Sequence, residues 1–143
     1  MRLRYVEGMS HTVSLIRSAD LSDVAEYAYA ATAPAEARLI FLAGACPLNR
    51  DGSTAGVGDY AAQAGKAMEN LVVALKAAGA ELDNVVSTRV LVASSNRNDL
   101  VAAWEVVRAA FGRHDAPSTL MGVAVLGYPD QLVEIEAVAA VSD

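Results

Sequence analysis

Two amphipathic helices on either side of a β-branched run constrain this chain more than any other feature. From Asp59 to Ala78, the residues Tyr60, Ala64, Met68, Leu71, Val72 and Leu75 fall on one helical stripe. Asp59 is suited to cap its start and Gly79 to end it. A second stripe, Leu100, Trp104, Val107 and Phe111, predicts a helix over about Asn98 to Phe111, with Gly112 after it. Between them, Val85 to Ala93 reads as a strand because β-branched side chains fit a pleated surface. Helices alternating with strands argue for α/β (α+β) layering, with both helices on one face of a mixed sheet.

The flanks supply the remaining strands. Upstream, Thr12 to Arg17, Glu26 to Thr32 and Arg38 to Ala43 have strand character, and Asn49-Arg50-Asp51-Gly52-Ser53 is a turn signal. Downstream come Ala116 to Leu126 and Leu132 to Val138. The expected order is β-β-β-α-β-α-β-β within one domain over residues 1–143, with no internal repeat and no linker.

Composition then says what the sheet's other face does. Hydrophobic residues make up 54% of the 143, and the mean hydropathy is +0.30. One helical layer leaves the far face partly apolar, and contact with neighbouring subunits would cover it. The net charge of −6 and pI near 4.8 argue against nucleic-acid or anionic-membrane partners, which require a positive face. No apolar run reaches the ~18 residues of a membrane span. Met1 to Ser10 has no apolar core of the kind a secretory signal carries. The single cysteine, Cys46, fits a reducing cytoplasm. One Cys and two distant His, His11 and His114, form no metal-ligand spacing. Gly56-Val57-Gly58 is too short for a phosphate-binding loop. Neither a metal nor a cofactor is expected.

The closing strand carries the chemistry. Glu134 and Glu136 alternate with Val133, Ile135 and Ala137, so both carboxylates share one face, about 6.5 to 7 Å apart. A carboxylate partly withdrawn from solvent can take a proton from water. Arg89 alternates with Ser87 and Leu91. If Val86, Thr88 and Val90 face the helices, Arg89 lies on the opposite face, within reach of a cleft or paired with Glu134 or Glu136.

Several segments, in this order and spacing, resemble the Rid family (reactive intermediate deaminases, YjgF-like). They are Ala43-Gly44-Ala45-Cys46-Pro47-Leu48, Ala62-Gln63, Glu69-Asn70-Leu71, Ala78-Gly79, Leu82-Asp83-Asn84-Val85-Val86, Ser87-Thr88-Arg89-Val90 and Leu132-Val133-Glu134-Ile135-Glu136-Ala137. The resemblance runs from about Tyr27 to Ala140. It implies a chorismate-mutase-like fold, a homotrimer, and a small-molecule cleft at each subunit interface. It also implies hydrolysis of imines or enamines, with Glu134 activating water. The family's tyrosine matches Tyr27, with Tyr29 the alternative, and its substrate-binding glycine matches Gly44. The chain departs from the pattern elsewhere. The serine before that glycine is Ala43 and the glutamine after it is Ala45. The helical asparagine is Trp104. The arginine that grips a substrate carboxylate is Ser118, counting one extra residue in the loop Gly127-Tyr128-Pro129-Asp130.

Truncating one partner of a guanidinium–carboxylate pair costs roughly 2 to 5 kcal/mol. Ser118 and Thr119 offer only neutral hydrogen bonds, so the expected ligand carries less negative charge than a 2-imino acid. Cys46 is expected to line the cleft as an inert thiol and Trp104 to belong to its helix's apolar stripe. Arg113 and His114 are candidates for the cleft mouth. Two other readings compete with the hydrolase: a non-catalytic ligand-binding or protein-interaction trimer, and a ribonuclease, which the charge disfavours.

Overall fold

Asp59 and Asn96 decide where the two helices begin. In the computed structural model, which describes residues 12–143, the Asp59 carboxylate accepts from Ala62 N–H at 2.9 Å and starts α1, Tyr60–Ala77. Asn96 Oδ1 accepts from Asn98 N–H at 2.9 Å and starts α2, Arg97–Phe111. These bonds satisfy N–H groups that have no partner inside the first helical turn. Gly79 and Gly112, with φ of 82° and 61°, follow the helices in a conformation that side chains disfavour. The readings of Met1–Ser10 and of His11 lie outside the described residues.

The strands follow the expected order. β1 (Ser14–Ile16) and β2 (Ala30–Thr32) form a short antiparallel ribbon. β3 (Arg38–Phe41), β4 (Val85–Ala93), β5 (Ser118–Val123) and β6 (Val133–Val141) form a mixed sheet in the order β3-β6-β4-β5. β6 runs antiparallel to both its neighbours, while β4 and β5 are parallel. A parallel pair needs a crossover, and α2 supplies it. The expected strands at 12–17 and 26–32 are shorter than their apolar runs. Ala28 N–H turns to Asp115 O and Tyr29 N–H to Ile16 O, outside regular pairing.

Both helices cover one face. Leu71 and Leu75 of α1 and Val107 of α2 join Val85, Val90, Val92, Val133 and Ile135 in a buried core. The alternation expected along β4 is corrected at its start. A bulge between Val85 and Ser87 turns Val85 inward and leaves Val86 half-buried. Beyond it Thr88, Val90 and Val92 face the helices, and Arg89 is exposed on the other side. Among the described residues that far face is left uncovered, with Leu39 and Phe41 53% and 76% exposed. Among the described residues, no helix is long and apolar enough to cross a membrane.

Candidate functional site

β6 is an interior strand, so it holds Glu134 on a fixed backbone. Val133 and Ile135 on either side of it are fully buried toward the helices. Strand alternation therefore sends Glu134 to the open face. Residues 44–46, just beyond β3, run beside it, because Ala45 and Ile135 exchange backbone hydrogen bonds of 2.7 and 3.0 Å. A Cβ on Gly44 would fall 2.7 Å from Glu134 Cδ and closer still to Oε2. The lack of a side chain at Gly44 is what gives the carboxylate its room.

Two donors hold the other carboxylate oxygen. Cys46 Sγ donates to Glu134 Oε1 at 3.2 Å, and Gln131 Nε2 donates to the same oxygen at 3.1 Å. Burial first, then the hydrogen bond and charge of Glu134, push the Cys46 thiol up to about 11. At neutral pH it is a protonated donor rather than a nucleophile.

Helix α1 anchors both segments that carry these donors. Asn70 Nδ2 donates to Cys46 O (2.8 Å) and Leu48 O (3.0 Å). Gln63, fully buried, donates to Gly56 O (3.3 Å) and Asp130 O (2.8 Å) and accepts from Leu132 N–H (2.7 Å). Gln131 itself is missing from the residues singled out by sequence. The missed signal is polarity on an apolar stripe: Gln63 lies three residues after Tyr60 and one before Ala64, a position that a polar residue occupies only with partners.

The remaining candidates divide between two places. Arg89 Nη2 lies 2.7 Å from Glu136 Oε2, and Arg89 is the register partner of both Glu136 and Thr119. Glu134 and Thr119 therefore share the open face, with the Arg89–Glu136 pair beside them. Ser118 is elsewhere. It is the register partner of Thr88, whose Oγ1 donates to Ser118 Oγ at 2.7 Å on the helix side. Trp104, Phe111 and Val107 line the same small void, with room for about one water, of about 10 Å³. Trp104 packs against the core and donates from Nε1 to Glu26 Oε1 at 3.2 Å. Its ring meets Tyr27 edge-on at 6.3 Å, and Tyr27 meets Tyr29 at 6.1 Å. Within one chain, Glu134, Gly44 and Cys46 come together, while Tyr27, Trp104 and Ser118 form a separate group. His114 sits under β4, its Nε2 2.7 Å from Val85 O, and Arg113 is exposed.

Comparison with known proteins places this arrangement among relatives. The family model described as Endoribonuclease L-PSP matches residues 19–141. The RutC family protein UK114 of Drosophila melanogaster is 34% identical over 102 residues, 71% of this chain and 72% of that protein. The crystal structure of YyfB from Yersinia pestis, described as a protein of unknown function of the conserved Rid family, superposes with a TM-score of 0.84 at 27% identity. That match covers 91% of this chain and 99% of YyfB. TdcF of E. coli, crystallised with bound serine, gives a TM-score of 0.63 at 26% identity over 81% of this chain and 88% of its own.

Proposed function

Since this chain belongs to the Rid/YjgF family that the Endoribonuclease L-PSP model describes, we propose that it is a homotrimeric hydrolase of small, weakly charged imines or enamines. In this reading Glu134 is the catalytic carboxylate. The observation that carries the proposal is the held carboxylate: Oε1 is occupied by two donors, and Oε2 lies over the side-chain-free Gly44.

The chemistry needs one proton acceptor beside the reacting carbon. Water oxygen bonds to the C=N carbon, and the π pair moves to nitrogen. Glu134 takes the proton released by water and returns one to nitrogen. The resulting carbinolamine loses ammonia or amine and leaves a carbonyl. The sum is imine plus water to carbonyl plus amine, with no external oxidant or reductant.

The substrate class follows from what surrounds Glu134. Arg89 shares its face, but its guanidinium is paired with Glu136. Thr119 supplies a neutral hydroxyl, and Ser118 points to the helix layer. Among the described residues of one chain, a substrate carboxylate would find no ready bidentate clamp there.

The exposed Leu39 and Phe41 on the same face support burial against further copies of the chain, and the family resemblance makes the assembly a trimer in this reading. A ligand touching both the Glu134 group and the Tyr27–Trp104–Ser118 group needs two copies of the chain, and a cleft between subunits meets that need. The partners are therefore the small molecule and the chain itself, in a reducing cytoplasm where Cys46 stays a thiol. Ligand binding without turnover is the second reading, favoured by the serine bound to TdcF. Ribonuclease action fits poorly with a net charge of −6. Assay of Glu134→Gln on freshly generated imines separates these readings: loss of turnover supports the hydrolase, and a wild type that binds imine without turnover supports the second.

A further inference from the structure

We infer that Gln131 and Cys46 are positioning residues that fix the orientation of the Glu134 carboxylate and leave one of its oxygens for the water. The inference rests on Glu134 being the water-activating carboxylate.

Gln131 is 4% exposed, and its amide orientation is fixed from every side. Its Oε1 accepts from Tyr128 N–H at 3.0 Å. Its Nε2 donates to Val133 O and to Glu134 Oε1, each at 3.1 Å. Flipping the amide would set its oxygen against a carbonyl and a carboxylate, and its NH₂ against an N–H. All three partners therefore enforce one orientation. The loop that presents Gln131 is held in turn by Gln63, through Asp130 O and Leu132 N–H.

Cys46 holds the same oxygen from the other side. Its Sγ lies 3.2 Å from Glu134 Oε1 and 3.5 Å from Gly44 O. A thiol has one proton, and the charged carboxylate is the stronger acceptor. With both donors on Oε1, the carboxylate cannot rotate without breaking two hydrogen bonds. Oε2 is left facing Gly44, where no side chain intervenes. Neither donor is itself placed to take water's proton: the amide cannot, and the thiol is already protonated. Their role is to orient the acceptor.

The test uses the full chain and two readouts. The first needs no turnover: the rate of Cys46 alkylation by iodoacetamide at pH 8. Glu134→Gln removes the charge that opposes the thiolate, and the rate rises about tenfold for each unit by which the thiol pKa falls. An unchanged rate overturns the cradle whether or not the protein is an enzyme. The second readout is hydrolysis of the neutral imine formed in situ from benzylamine by an amine oxidase. Gln131→Met lowers kcat about tenfold with little change in KM, and Cys46→Ala lowers it a few-fold, on the order of one lost hydrogen bond each. Cys46→Ser, which keeps a donor, restores kcat to within about twofold of wild type. Equal kcat for Cys46→Ala and Cys46→Ser overturns the positioning role of Cys46, and unchanged kcat in Gln131→Met overturns that of Gln131. Alkylation that depends on Glu134, in a wild type with no turnover, refutes the hydrolase and reduces the cradle to a fold element.

Discussion

Gly44 and Glu134 fit together only because one of them has no side chain. A methyl at position 44 would lie inside contact distance of Glu134 Cδ, at 2.7 Å, and displace the carboxylate. Gly44→Ala is therefore expected to lower turnover about tenfold or more, since small misplacements of catalytic groups are costly. It should also speed Cys46 alkylation, as is expected of Glu134→Gln. Steady-state kinetics with thiol labelling checks both effects in one variant.

Gln63 is a fold residue with a functional consequence. Gln63→Leu keeps the volume but strands Leu132 N–H and the carbonyls of Gly56 and Asp130. A fully buried unpaired group costs about 1 to 3 kcal/mol. Gly56 and Leu132 are half-buried and Asp130 is exposed, so a smaller loss, about 2 kcal/mol in total, is expected. Urea unfolding measures it directly.

Cys46 makes stability depend on alkaline pH. Its folded thiol titrates near 11, above the ordinary value of 9.0. A raised acid favours the protonated folded state. Its contribution is complete below about pH 9 and is lost as pH climbs toward 11. Wild type should lose stability across that window more steeply than Cys46→Ala, as thermal melts at pH 8, 9, 10 and 11 will show.

Phe41 tests the assembly. It is 76% exposed on the open face in a single chain, so a charge there costs the lone subunit little. Phe41→Glu is expected to convert a trimer into monomers in light scattering after size exclusion. Monomeric wild type, or trimeric Phe41→Glu, would contradict the proposed use of this face.

Much of this architecture is legible in the sequence, for identifiable reasons. The two helical stripes and their caps are local signals, and α1 and α2 end within one residue of where periodicity puts them. Alternation sets Glu134 and Arg89 opposite the inward neighbours of their own strands, and the Arg89–Glu136 register then brings both to one face. The face of Val86 does not, because the bulge at Val85/Ser87 shifts the phase by an extra residue that no composition rule announces. Gln131 is invisible for a different reason. Its three hydrogen bonds depend on a loop whose path is set by Gln63, 68 positions earlier in the chain. The resemblance sets Ser118 and Trp104 beside Glu134 in a cleft between subunits. Within one chain the fold places them together on the helix side of the sheet, a separation that no local signal announces.

In the proposed reaction Glu134 activates water against an imine that needs no carboxylate clamp. The direct measurement compares carbonyl release from the neutral benzylamine-derived imine and from 2-iminopropanoate, with wild type and Glu134→Gln side by side. Wild type is expected to accelerate the neutral imine more than 2-iminopropanoate, and Glu134→Gln to lower the enzymatic rate by about 100-fold or more, the scale of a lost general base. Faster turnover of 2-iminopropanoate, or a Glu134→Gln variant as active as wild type, would contradict it.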